Sequence, residues 1–284
     1  MGRLHTKRVW PLYVFIKING GTCMITAASN SRIKRLVQLN QKSKLRRTED
    51  VFLAEGVKMF LEAPREQLQE VYVSESFLEK CSCREHLEEV GYEVVSDSVF
   101  SKISDTCTPQ GVLCVLKQFH YNIEEMLRDK APLFLLLENI QDPGNLGTML
   151  RTGEGAGVSG IIMSRDTVDL YNPKVIRSTM GSIYRVPFYY ADDFAAAVHQ
   201  VQQAGVSVYA AHLRGKNSYA CQDYTKGTAF LIGNEGNGLR EETAELADCY
   251  IRIPMEGKVE SLNAAVASSI LMYEAHRQRA TLEK

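Results

Sequence analysis

The chain has 284 residues, 45% of them hydrophobic and 24% charged, with a formal net charge of -1. That length suits two domains of ordinary globular composition; no apolar run approaches the roughly 18 residues of a membrane span, and the charge balance does not by itself announce a nucleic-acid partner, so such a signal must come from local asymmetry. The seven cysteines (Cys23, Cys81, Cys83, Cys107, Cys114, Cys221 and Cys249) are odd in number, scattered, and lack zinc-ligand spacing, which fits free thiols in a reducing cytoplasm and suggests no metal.

Residues 1–23 hold a short apolar run, Val9 to Ile16, behind basic residues and without a small-residue cleavage site. They read as a leader or an appended strand outside the main fold. Residues 25–47 have a helical period and carry Arg32, Lys34, Arg35, Lys42, Lys44, Arg46 and Arg47, with no acid between Ser31 and Arg47. A solvated helix face is the plain reading of a charge run. In a chain of near-zero net charge, a one-sign cluster is better explained by a phosphate-rich partner, here RNA. Strands follow at Val51–Gly56, Val71–Val73, Tyr92–Val95 and Gly111–Leu116. Helices run through Met59 to Leu61, over Phe77–Val90 and over Ser98–Ile103. This alternation indicates a compact α/β domain over 24–117. Residues 118–131 are polar, hold no clear strand, and read as the linker.

A second α/β domain is expected over 132–284. Its strands read at Leu133–Leu137, Gly160–Met163, Val186–Tyr189, Ser207–Ala211, Ala229–Ile232 and Tyr250–Ile253. Its helices read at Leu146–Ala156, Lys174–Ser182, Phe194–Gln203, Glu241–Leu246 and Leu262–Arg279. The pattern implies a mostly parallel sheet, whose ligands sit beyond the carboxyl ends of the strands. Three loops at that edge are chemically unusual. In Glu138 to Thr152 a Pro-Gly turn leads to Asn145, a candidate helix cap, and Arg151, six residues on, can lie near the mouth of the same cleft. Capping alone would explain Asn145, and Arg151 could be a surface charge. In Gly233-Asn234-Glu235-Gly236-Asn237-Gly238 three glycines follow an apolar strand and hold a carboxylate. A tight turn would need fewer glycines, and the spacing is neither the dinucleotide fingerprint nor a Walker A loop. In Ile253 to Ala267 a strand runs through a loop into a small-residue helix that Ser261 or Asn263 can cap.

Together, in this order, the three loops resemble the motifs of the SpoU family of ribose methyltransferases within the SPOUT superfamily. Asn145 to Thr152 is similar to its first motif, Gly233 to Leu239 to its second, and Ile253 to Ala267 to its third. Residues 25–117 resemble the small α/β RNA-binding domain, similar to certain ribosomal proteins, that precedes the catalytic domain in many members. The resemblance implies a C-terminal parallel-sheet domain with a deep trefoil knot, S-adenosylmethionine as cofactor, a homodimer, and a cytoplasmic enzyme acting on RNA. It assigns the cofactor to the surroundings of Gly233, Gly236, Ile253, Leu262 and Asn263. Catalysis falls to Arg151, Asn145, Glu235, Ser261 and Asn263.

The implied reaction is attack of a ribose 2′-hydroxyl on a sulfonium methyl group. A guanidinium stays protonated, so Arg151 is better suited to stabilising the developing oxyanion and positioning phosphate than to acting as a base, with Glu235 and Asn145 orienting it. The final helix, with Ile270, Leu271 and Tyr273, is a candidate dimer element, and core packing would explain it equally well. The basic front domain favours ribosomal RNA. Transfer RNA and a non-catalytic ribosome-assembly role are the alternatives. A nucleotide-dependent oxidoreductase is disfavoured by the glycine spacing, and a Rossmann-type methyltransferase by the absence of a glycine-rich loop after the first strand.

Overall fold

The computed structural model describes residues 24–259 and 261–282; the reading of residues 1–23 lies outside them. The first sheet holds β1 (Val51–Glu55), β2 (Leu68–Ser74), β3 (Glu93–Val95) and β4 (Val112–Lys117) in the order β1-β4-β2-β3. β4 is antiparallel to β1 and β2, β2 is parallel to β3, and Ile25 bridges to Val95. Strand residues alternate between two faces. Leu53, Tyr72, Leu113 and Val115 pack with Ile33, Leu36, Leu39 and Phe100. Phe52, Ala54, Cys114 and Leu116 face the core shared with the second domain.

Two expected helices are each two helices. The basic stretch forms Ser31–Gln41 and Ser43–Glu49, broken at the extended Lys42. The apolar stripe Ile33, Leu36, Leu39 ends just before that break, so nothing holds a longer straight helix against the sheet. Likewise Phe77–Val90 is Glu75–Lys80 and Arg84–Val90, separated at Cys81–Cys83.

The second sheet is entirely parallel. It holds β5 (Leu133–Leu137), β6 (Gly160–Ser164), β7 (Phe188–Ala191), β8 (Ser207–Ala211), β9 (Asn217–Ser218), β10 (Thr228–Ile232) and β11 (Cys249–Arg252), in the order β7-β6-β5-β10-β8-β11-β9. All residues of the central β5 and β10 are buried, as expected of strands covered on both faces. β7 begins two residues later than expected, after Pro187, which has no N–H to give a ladder. The helix expected over Lys174–Ser182 is Pro173–Thr179, stopped by Met180 and Gly181 at φ 52° and 100°.

Helices Pro143–Ala156 and Ala264–Leu282 lie together against β5 and β10; Thr152 and Ser269 hydroxyls are 3.4 Å apart, and Met272 approaches Gly153. Helix Phe194–Gln203 covers the other face through Ala197, Val198 and Val201. The domains are packed tightly together. Phe52 and Tyr171 rings lie 4.8 Å apart, Tyr184 Oη donates to the Met59 carbonyl at 3.0 Å, and Arg46 meets Asp169 at 2.5 Å. Within 118–131, Gln118 is buried and helix Ile123–Met126 sends Ile123 and Met126 into the second domain's core. Among the described residues no helix is long and apolar enough to cross a membrane.

Candidate active site

The direction in which successive strands are added to the sheet reverses between β5 and β10, parallel neighbours that four other strands separate in sequence. Loops leaving two such strands diverge and open a crevice at the carboxyl edge. The loops after β5 and β10 meet there, with those after β8 and β11 alongside.

Helix Pro143–Ala156 is capped by Asp142, whose Oδ1 accepts from the Asn145 N–H at 2.7 Å, with Pro143 opening the first turn. Asn145 is thus not the cap expected from sequence. A proline at the first helical position with an aspartate before it is the stronger start signal. Asn145 therefore sits inside the first turn with its side chain free for other partners. Its Nδ2 donates to Glu235 Oε1 at 3.0 Å, and its Oδ1 accepts from Asn263 Nδ2 at 3.0 Å. Asn263 does cap the final helix, its Oδ1 accepting from the N–H groups of Ala265 (2.9 Å) and Val266 (3.3 Å). One relay, Glu235–Asn145–Asn263, thus joins all three loops.

Glu235 also accepts from the N–H groups of Gln141 and Asp142, each at 3.2 Å. Partial burial opposes its ionisation, but the Asn145 amide and these N–H groups outweigh that and hold its carboxyl below the usual glutamate range. Glu235 is an ionised acceptor that organises donors around it. The glycine loop closes on itself, Asn234 and Gly238 exchanging backbone hydrogen bonds at 3.0 and 2.9 Å. A Cβ on Gly233 would lie 2.2 Å from Gly238 C and Leu239 N, so the glycine there serves loop closure. Asn234 Oδ1 takes the N–H groups of Gly236 and Asn237, and its Nδ2 donates to the Asn139 carbonyl.

A buried residue that the sequence reading did not single out supports the same junction. Glu138, 1% exposed, accepts from the Arg240 N–H at 2.8 Å and from Thr243 Oγ1 at 2.5 Å, and Arg240 also pairs with Asp166. An acid ending a wholly apolar strand was the available signal. The loop 212–216 after β8 was missed as well, since its composition is ordinary. It lies between the two expected cofactor loops, with Leu213 62% exposed, the His212 N–H bonded to the Ile251 carbonyl, and Gly215 pressed onto Ile251.

Arg151 stands apart. Six residues advance a helix by about 9 Å and rotate it by about 240°, so Arg151 and Asn145 occupy different faces. Arg151 is exposed; Glu235 and Asn145 bond each other and loop backbone, and no hydrogen bond among the described residues ties either to Arg151. The expectation that they orient it is corrected: they order the loops. Ser261 is exposed without a hydrogen bond among the described residues, and Leu262 is half-buried.

The fit to S-adenosylmethionine rests on the chemistry of these loops. Gly233 and Gly236 follow β10, and Ile253, Leu262 and Asn263 follow β11, with the exit of β8 between them. The N–H groups of Leu262 and Asn263 donate to nothing among the described residues. Main-chain groups beside aliphatic side chains suit an adenosine with an apolar wall.

The seven basic residues of the front domain do not form one surface. Arg46 is 3% exposed, donating to the Leu39 and Asn40 carbonyls and pairing with Asp169, so it fastens the domains and is removed from the expected RNA contacts. Arg32 pairs with Glu93, and Arg35 with Glu49 and Glu70. Folding supplies the acids that the local sequence lacks. Lys34, Lys42, Lys44 and Arg47 stay exposed with no acidic partner among the described residues. In the final helix Leu271 is wholly buried and is core, Ile270 is half-buried, and Tyr273 is 50% exposed.

Comparison with known proteins agrees with this geometry. The SpoU rRNA Methylase family profile matches residues 132–273, and the MRM3-like substrate binding domain profile matches residues 30–114. The 23S rRNA (guanosine(2553)-2′-O)-methyltransferase RlmP of Bacillus subtilis is 32% identical over 252 residues, covering 88% of this chain and 97% of that protein. An AdoMet-bound rRNA methyltransferase from Sinorhizobium meliloti superposes with a TM-score of 0.78 at 30% identity, over 90% of this chain and 97% of its own. The SpoU methyltransferase AviRb from Streptomyces viridochromogenes, in complex with AdoMet, gives 0.81 at 26% identity, over 89% and 99%. The chain belongs to the SpoU rRNA methylase family.

Proposed function

We propose that this protein methylates a ribose 2′-hydroxyl of ribosomal RNA, using S-adenosylmethionine, in the crevice where the loops after β5, β10 and β11 meet. The observation that carries this reading is the Glu235–Asn145–Asn263 relay, which ties the three family motifs into one unit. S-adenosylmethionine supplies an electrophilic methyl group when bound. Gly233, Gly236, Ile253, Leu262 and Asn263 would hold it, with loop 212–216 closing the same side. Ionised Glu235 fixes the Asn145 amide, and Asn145 fixes Asn263, so the cofactor loop and the first-motif helix keep one separation. Arg151 stands on the exposed face of that helix, where it can meet the ribose oxygen or its phosphate and stabilise negative charge as the hydroxyl proton leaves. Ser261 is a further exposed polar side chain on the loop after β11.

Ribosomal RNA is favoured because relatives matching 88% and 75% of this chain carry rRNA 2′-O-methyltransferase names; that substrate implies a cytoplasmic enzyme. A homodimer is supported by Val266 and Tyr273, seven apart on the final helix and both about half exposed, Tyr273 lying beside Gly155. A trefoil knot, which the family resemblance implies, is supported by the return of the final helix to β5 and β10 after β11 has paired on the far side of β8. The test is Arg151→Ala. Methyl transfer to ribosomal RNA should fall at least about 100-fold, as for loss of one oxyanion contact, while calorimetry shows cofactor affinity within a few-fold of wild type. Turnover retained within tenfold rejects the role of Arg151.

A further inference from the structure

Two large apolar side chains remain exposed on facing elements at the domain junction. Leu61, 49% exposed, ends the helix Val57–Leu61 of the first domain, and Met180, 41% exposed, follows helix Pro173–Thr179 of the second. Their neighbours touch. Glu62 bonds Arg185 at 2.8 Å, and its Oε2 lies 2.3 Å from where a Cβ on Gly181 would be. Met180, at φ 52°, is the left-handed residue that ends helix Pro173–Thr179, its N–H bonded to the Arg177 carbonyl.

The register of the catalytic helix places Arg151 at the same opening. A Cβ on Gly147 would come 2.4 Å from Ser178 Cβ, and Glu154 accepts from Ser182 Oγ at 2.5 Å and pairs with Arg185. Arg151 lies between these anchors, one turn from each on the same helix side, just as Met180 lies between Ser178 and Ser182. Charge at this strip is positive. Arg185 neutralises parts of both Glu62 and Glu154, Lys58 is exposed at 3.7 Å from Glu62, and Arg151 and Lys174 are exposed with no acidic partner among the described residues.

Resting on the reading of Arg151 as the residue at the target ribose, we infer that Leu61 and Met180 form the platform for an unstacked base of the RNA substrate beside that ribose, with Lys58 and Lys174 on the flanking phosphates. Single-stranded RNA is held by apolar or aromatic faces under splayed bases and by cations along the backbone. A strip that is apolar in the middle and cationic at its ends fits that ligand. It also gives the two domains a shared task, since each supplies one half of the platform.

The experiment measures binding of a ribosomal RNA transcript by fluorescence anisotropy, alongside methyl transfer and cofactor calorimetry. Asparagine tolerates positive φ better than methionine, so Met180→Asn keeps the fold and its melting temperature. It should weaken RNA binding about tenfold, the scale of one lost base contact, leave cofactor affinity unchanged, and be rescued by Met180→Leu. Lys58→Gln and Lys174→Gln should each lower the salt slope of RNA binding by about one. Unchanged RNA affinity in Met180→Asn overturns the inference, as does a shift in sedimentation that marks the patch as a self-association surface. If the wild type binds RNA but transfers no methyl group, the proposed reaction falls, while the Met180 comparison still decides the platform.

Discussion

Asn263 does two jobs with one amide. Its oxygen caps the final helix and its nitrogen reaches Asn145. The jobs separate by substitution. Asn263→Ser keeps a capping oxygen and should hold the melting temperature near wild type, whereas Asn263→Ala costs about 1 kcal/mol of cap energy. Both lose the bond to Asn145 and should lose turnover together. Full activity in Asn263→Ser would show that the relay is structural only. At Glu235 the sign of the pH dependence follows from its lowered carboxyl. A depressed folded value contributes stability that is complete above the unfolded value, near 4.3 for glutamate, and is lost as pH falls through the folded one. Glu235→Gln puts an amide NH2 where donors already converge, so it should melt lower than wild type by a constant gap from about pH 8 to about pH 5. The gap should narrow below about pH 4. A gap that changes between pH 5 and 8, followed by calorimetry, would assign the effect to another group.

Elements were legible where one local rule dominates. β5 and β10 are unbroken apolar runs, and burial on both faces is the only use a sheet has for them. Breaks were not legible when they depend on distant partners. Lys42 interrupts an otherwise good helix because the next turn must rotate Arg46 inward to Asp169, 123 residues away. The same distance dependence hid the fate of the basic run, since Glu49, Glu70 and Glu93 come from the helix end and two strands. Of the site, motif order disclosed Asn145, Glu235 and Asn263, but their mutual bonds, the Asp142 cap and the buried Glu138 needed the fold. A comparison at this scale checks the division of the basic residues. Arg46→Met should destabilise the protein by about 3 kcal/mol, since it strips a buried charge network of one partner, with little direct effect on RNA affinity at temperatures where it is folded. Lys34→Gln with Lys44→Gln should leave the melting temperature nearly unchanged and reduce the salt dependence of RNA binding. The reverse pattern would return Arg46 to the RNA surface.

At the scale of the molecule, two sheets are joined so firmly that one core runs through both. Phe52 and Cys114 on one side meet Tyr171 and Tyr184 on the other, and this fixes the front domain relative to the catalytic helix. A rigid junction suits an enzyme that must recognise an extended RNA with one domain and place a single ribose with the other. The crevice, the relay and the exposed Arg151 suit a ribose oxygen as the atom that accepts the methyl group. Alkaline digestion tests it directly, because a 2′-O-methyl group blocks cleavage of the adjacent phosphodiester. Ribosomal RNA labelled with S-[methyl-³H]adenosylmethionine by this protein should yield its label in an alkali-resistant dinucleotide. Label recovered in a mononucleotide would mean methylation of a base and would contradict the account.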